Sequence, residues 1–304
     1  MSFGGGKFLF KSMSKQSQSV LFILLSVGLF STTSLMAKAL GTNALGTALH
    51  PAQISTARFW FAALVLIPVF YFGNSNFGHV PWGLHIRRSL LGWMGISCLF
   101  AAATLIPLAD AYAVSFLSVI ITMALSVFFL GEKVGLKRWS AALISLVGAV
   151  IVARPGTSAF QPAALLALLS AVFIGAEAIL VKTLSDREKP IRILTINNVI
   201  GASISTLVVP FFWIAPTGSQ WPVMIAIGVV MMLAQYCNIE AMKRSDASFV
   251  TPFWYGAPVF AAVYDYLLFK QVVSSWSVVG ITLIILGGIV IAYRERLVKQ
   301  SVDR

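Results

Sequence analysis

The chain has 304 residues, of which 58% are hydrophobic and only 11% charged, and its mean hydropathy is +0.88. A water-soluble domain carries roughly 25% charged residues, so this composition excludes a soluble protein of this length and points to an integral membrane protein. The net charge of +12 does not imply nucleic-acid binding, because the basic residues sit at the ends of apolar segments rather than on one face.

Taken in order, residues 1–19 form a Gly-, Ser- and Lys-containing tail with Lys7, Lys11 and Lys15, expected to be mobile and cytoplasmic. Residues 20–40 form the first apolar span. Ala37-Lys38-Ala39 resembles a leader-cleavage site, but the segment matches residues 168–184 at an offset of 144, with Ser26 on Ser170 and Lys38 on Lys182. A cleaved leader has no reason to match an internal segment. Further spans are expected near 52–72, 88–109, 111–130, 139–153, 162–182, 191–214, 221–241, 248–269 and 276–293, giving ten helices of roughly membrane-crossing length.

The ninth span is broken by Pro252 and Pro258 with Gly256 between them. Each proline removes a backbone donor, and backbone groups freed in this way must be satisfied by protein or water. A bent helix facing the protein interior follows. Its sequence runs parallel to 109–130, with Asp110 on Asp246, Val114 on Val250 and Ala124 on Phe260, an offset of 136. Pro68 with Pro210, Gly92 with Gly228 and Trp139 with Trp276 continue the correspondence. Helix N-capping explains the two equivalent aspartates.

With the N-terminus inside, 18 of the 22 Lys and Arg residues fall on the cytoplasmic side. Arg87 and Arg88 are counted there, Arg154 and Lys270 fall outside, and Lys38 and Arg58 lie within spans. Because each half has five spans, the second half enters the membrane from the opposite side. The expected fold is therefore all-α and integral to the membrane, with ten transmembrane helices as two inverted five-helix repeats. The repeats cover 20–154 and 162–294, and 295–304 forms a second cytoplasmic tail. Inverted repeats with a midplane site are characteristic of alternating-access carriers.

The stretches DAYAVSFLSVIITMALSVFFLGEKV and LISLVGAVIVARP in the first half, and SDASFVTPFWYGAPVFAAVYDYLLF and ITLIILGGIVIAYR in the second, resemble the drug/metabolite transporter superfamily, in particular the EamA-type ten-helix transporters. The resemblance covers residues 20–294. The proline common in the family's fourth span is Thr122 here, and Gly131-Glu132 has no counterpart near Lys270 and Gln271. The resemblance implies a secondary transporter of a small organic solute, lined by helices one, three, four, six, eight and nine. Localisation in a bacterial inner membrane follows, with both termini cytoplasmic.

Ionisable groups within spans cost roughly 2.5–3.5 kcal/mol on insertion scales, so each asks for a reason. Arg58 is a candidate anion-binding or gating charge, and the repeat places Asn197 and Asn198 opposite it. Glu177 could bind a cationic group, take up a coupling proton or pair with Lys182. Gln235 and Tyr236 precede Glu240, which either couples or pairs with Lys243 or Arg244. Trp254 and Tyr255 are placed to stack on a flat or cationic substrate, and Asp265 and Lys38 are gating candidates. Ser115, Ser118 and Thr122 share a stripe that suits either a cavity or helix packing.

The partners expected are the bilayer and a small zwitterionic or aromatic solute, with no cofactor, metal or nucleic acid; a homodimer stays open. His50, His79 and His85 lie in or beside loops, and no HExxH, nucleophile elbow or phosphate loop appears in a suitable context, which argues against an enzyme. A multidrug or metabolite exporter of the same fold is the main alternative, ahead of a channel.

Overall fold

The computed structural model describes residues 14–41, 43–72, 80–105, 114–153, 164–257, 259–260, 263–264, 276, 278–287 and 289–290. Asp265, Asp110, Pro258, His79 and the side chain of Lys38 lie outside what it describes. Among the described residues the regular structure is helical. In chain order the helices are α1 (Lys15–Gly41), α2 (Pro51–Phe72), α3 (Trp82–Leu105), α4 (Leu117–Leu130), α5 (Leu136–Ala153), α6 (Ala164–Ser185), α7 (Pro190–Val208), α8 (Gln220–Arg244), the short α9 (Ala247–Val250) and α10 (Val278–Gly287). Five stretches are long and apolar enough to cross a membrane: Lys15–Gly41, Pro51–Val69, Leu165–Ser185, Pro190–Phe212 and Gln220–Arg244.

The apolar surplus is distributed on both sides of these helices. Large side chains such as Leu64, Ile67, Phe128, Phe129 and Leu207 point outward, as expected of a surface in contact with lipid rather than water. Inside, small residues bring helices close. A Cβ at Gly228 of α8 would come within 2.5 Å of the Phe61 Cβ and 3.1 Å of the Ala62 nitrogen of α2. Thr122 of α4 donates to Ser118 O of its own helix and to Gly175 O of α6, at 2.8 and 3.3 Å. Here the packing alternative for the Thr122 stripe is the one realised.

The proline-broken segment is tightened. After one turn of α9, residues Thr251–Gly256 continue as a 3₁₀ helix, with Pro252 in its first turn. Proline is tolerated there because its missing donor is not needed. Ala247, Ser248, Phe249, Val250, Thr251, Pro252, Phe253 and Tyr255 are buried, so the segment does face the interior. Asp246 stands at the N-cap position of α9 but makes no side-chain capping bond, a correction to the capping expectation. The cap comes from Glu132, 115 residues earlier. Its carboxylate oxygens accept from Ala247 N at 2.7 Å and Ser248 N at 2.9 Å. Asp246 instead faces Arg138, whose Nη1 lies 3.3 Å from Oδ2; the same nitrogen donates to Ser248 Oγ at 2.8 Å.

Tyr255 is completely buried among Val119, Ile284, Phe116 and Val259, and its hydroxyl has no hydrogen-bond partner among the described residues. An unsatisfied buried hydroxyl costs roughly 1–3 kcal/mol. Tyr255→Phe should therefore raise the thermal unfolding temperature of the detergent-solubilised protein; a marked drop would show that the hydroxyl has a partner.

Candidate functional site

The two ends of the bundle differ. At one end α1, α6, α8 and α9 are tied together by polar contacts. Ser19 donates to Ala241 O (2.9 Å), Lys182 to Met242 O (2.8 Å) and Asp186 (2.9 Å), and Arg244 to Gln18 (3.0 Å). Glu240 pairs with Arg244 one turn on, realising the local-pair alternative. The Glu132 cap and the Arg138–Asp246 pair belong to this same end, as does a buried pair of His85 and Glu188 (3.1 Å) with Arg192 3.7 Å from the same carboxylate. His85, expected beside a loop, is fully buried within α3.

At the other end a cavity of about 290 Å³ opens between α2, α3 and α7, a correction to the expected lining by helices one, three, four, six, eight and nine, of which only the third takes part. It is lined by His50, Ser55, Arg58, Phe59, Trp93, Ile96, Ser97, Ser205 and Val208, among others. Side-chain to backbone bonds tie the loops at this end: the Gln53 amide bonds Ile214 in both directions (2.7 and 3.1 Å), and Gln220 donates to Thr47 O (2.8 Å). His50 stacks on Phe212 at 4.2 Å. A larger depression of about 510 Å³, lined by Val127, Phe128, Glu132, Lys133 and Trp139, lies where Phe128 is exposed. It is therefore a feature of the outer surface, and the interior cavity is the better candidate site.

Arg58 stands on the cavity wall and is 9% exposed. Its guanidinium lies 4.3 Å over the Phe59 ring, and its Nε has no hydrogen-bond partner among the described residues. Glu177 of α6 is within electrostatic reach of both Arg58 and Arg88. Arg88 Nε lies 3.6 Å from Glu177 Oε1, and Arg88 is 2% exposed. So Arg88 is no loop charge, and Glu177 pairs with it rather than with Lys182. Gly92, one turn after Arg88, is what admits this carboxylate. A Cβ there would stand 2.9 Å from Glu177 Cδ and 3.0 Å from both oxygens.

Gly92→Ala should therefore displace the flexible Glu177 carboxylate from Arg88 and lower thermal stability by weakening that ion pair rather than by overpacking. Adding Glu177→Asp, which withdraws the carboxylate by one methylene, should recover part of the loss in thermal stability. Equal stability of Gly92→Ala and the parent would contradict this placement.

The remaining candidates are not gathered around Arg58. Asn197 is buried and accepts from Ser89 Oγ at 3.0 Å, and Asn198 donates to Leu194 O of its own helix. Gln235, Tyr236 and Glu240 lie on α8 toward the sealed end, with Gln235 Oε1 buried and unpartnered. Trp254 packs edge-on against Phe30 at 5.2 Å, and Tyr255 lies in its apolar cluster. None of these lines the cavity. The lining residues missed in the sequence had a signal of their own: Ser55–Arg58, Trp93–Ile96–Ser97 and Ser205–Val208 each recur at helical spacing on one face.

The EamA-like transporter family model matches this chain twice, over residues 17–154 and 161–293. The chain belongs to the EamA-like transporter family. Among the relatives of this EamA-like chain is an S-adenosylmethionine uptake transporter of Rickettsia felis, 29% identical over 276 residues that span 90% of this chain and 92% of the relative. A riboflavin transporter of Rhizobium johnstonii is 31% identical over 176 residues, 58% of each chain. A pseudopaline exporter of Pseudomonas aeruginosa is 28% identical over 215 residues, 69% of this chain and 74% of the exporter. A solved crystal structure superposes on this EamA-like fold with a TM-score of 0.78 at 22% identity, covering 91% of this chain and 97% of the other.

Proposed function

We propose that the chain is a secondary transporter that carries a small organic solute, zwitterionic or aromatic, across a bacterial inner membrane by alternating access. The observation that carries the reading is the asymmetry of the bundle. A largely apolar cavity walled by a buried arginine and several serines opens at one end, and a network of caps and ion pairs closes the other.

Two inverted five-helix halves are the architecture that makes such a cavity alternate. The double match of one family model supports it, and so does the contact pattern. Helix α1 packs on α8 as α6 packs on α3, and α4 packs on α6 as the α9 segment packs on α1. Each pair maps onto the other when the halves are exchanged. With the termini cytoplasmic, as the charge distribution supports, the open end is the outer one.

S-Adenosylmethionine, the solute named for the Rickettsia felis relative, joins a zwitterionic amino-acid group to an aromatic base. Its carboxylate suits Arg58 and its base suits Trp93, while its sulfonium makes it a net cation that gains only the carboxylate contact from this wall. Relatives named for uptake and for export leave both directions open, so the test should not depend on direction. Purified protein in liposomes loaded with unlabelled S-adenosylmethionine is expected to accumulate the labelled solute by counterflow. Riboflavin serves as the parallel aromatic probe. If neither label exchanges faster than in empty liposomes, this substrate class is wrong.

A further inference from the structure

Three charged side chains meet beneath the cavity, and they do not balance. Arg58 and Arg88 are both buried, and both are within electrostatic reach of the single carboxylate of Glu177. Even the closer contact, Arg88 Nε to Glu177 Oε1, is 3.6 Å, an ion pair rather than a hydrogen bond. Among the described residues Arg58 Nε, Arg88 Nε and Arg88 Nη1 find no hydrogen-bond partner. Native proteins rarely leave buried donors of this kind unmatched, and a guanidinium is shaped to meet a carboxylate with two parallel bonds.

The position of the surplus also matters. Arg58 is on the cavity wall, flanked by the hydroxyl-bearing Ser55 and Ser97 and the rings of Phe59 and Trp93. Glu177 keeps 24% of its side chain exposed, and its carboxylate rests against the bare backbone of Gly92, with no side chain to clamp it there. Among the described residues two cations and one anion leave a surplus of one positive charge, which a carboxylate on the solute offsets.

We infer that the cavity takes its solute through a carboxylate group bound at Arg58, and that Glu177 is the internal anion with which that carboxylate competes. This rests on the cavity being the solute site. In this arrangement the empty carrier holds its arginines with Glu177, and an arriving carboxylate relieves Glu177 of part of that role. A neutral solute of the same shape leaves the surplus charge unmatched and binds more weakly.

Benzoate and benzamide are the probes: they share size and ring and differ in charge. Binding to the full-length protein in detergent would be followed by calorimetry and by thermal unfolding. Benzoate is expected to bind at least tenfold more tightly than benzamide. Arg58→Gln should weaken benzoate tenfold or more, and Arg58→Lys should retain part of the binding. Glu177→Gln removes the competitor, so it should bind benzoate several-fold more tightly and gain a larger rise in unfolding temperature from it. A misfolded variant cannot produce that gain.

Benzoate binding no better than benzamide would overturn the inference, as would unchanged or weakened benzoate affinity in Glu177→Gln. The carrier reading is judged separately by counterflow. Flux without benzoate preference removes only the carboxylate assignment, and benzoate preference without flux removes only the transport reading.

Discussion

Arg58→Gln is expected to weaken solute flux strongly, through a raised KM, while leaving the protein folded and inserted. Arg58 is the one charged side chain on the cavity wall among the residues described, and its Nε makes no intramolecular hydrogen bond. Its loss therefore leaves few groups newly unpaired. A hydrogen bond to a charged group contributes roughly 1.5–3 kcal/mol, and each 1.4 kcal/mol is about tenfold in affinity. A loss of about 10- to 100-fold in apparent affinity follows, read as a rise in KM in liposome flux. Arg58→Lys should fall between the two, because an ammonium keeps the charge but not the planar fork. Unchanged flux in Arg58→Gln would mean that the solute passes elsewhere.

The second large effect concerns stability. Glu177→Ala leaves Arg88, and electrostatically Arg58, without their shared carboxylate in the interior. Removing one partner of a buried ion pair costs roughly 3–5 kcal/mol, because the other charge stays buried and uncompensated. The variant should unfold at markedly lower temperature in detergent. Adding Arg88→Met should return most of the loss, because an apolar pair of similar volume often matches a buried ion pair in stability. If Glu177→Ala alone is as stable as the parent, the pairing of Arg88 with Glu177 is incidental. If the double variant is worse than the single one, Arg88 has another partner.

These residues also show how far the sequence could be read. Arg58 and Glu177 stood out because a charge in the middle of an apolar run has few innocent explanations. Arg88 did not, because it adjoins Arg87 at what reads as the start of a span. The helix in fact begins at Trp82; at 1.5 Å per residue this carries Arg88 about 9 Å along the helix, far enough to meet Glu177. Glu132 was legible as a loop acid beside Lys133, but its role as the cap of α9 depends on a contact across 115 residues, which no local pattern encodes.

Pro258 was the reason to expect Trp254 and Tyr255 inside the protein; Tyr255 is buried and Trp254 half-buried. Whether an interior aromatic lines a cavity or fills a core depends on its neighbours, here Phe30, Phe116, Val119 and Ile284. The equivalence of Arg58 with Asn197 pointed toward α7. The structure brings Phe59 against Gly201 of α7, yet turns Asn197 to Ser89 of α3. Repeat matching gives depth along a helix but not its rotation.

A cavity that opens to each side of the membrane in turn would show itself in side-specific labelling of a cysteine placed in its wall. Ser97→Cys, in a background with Cys98 and Cys237 replaced by Ala, would be exposed in oriented vesicles to a membrane-impermeant maleimide from one side or the other. The account predicts strong labelling from the side of His50 and Phe212 and weak labelling from the other. Weakening the sealed end with Glu132→Ala should shift labelling toward that second side and away from the first. Labelling from both sides without any such trade-off, as in a channel, or none from the second side in either protein, would contradict it.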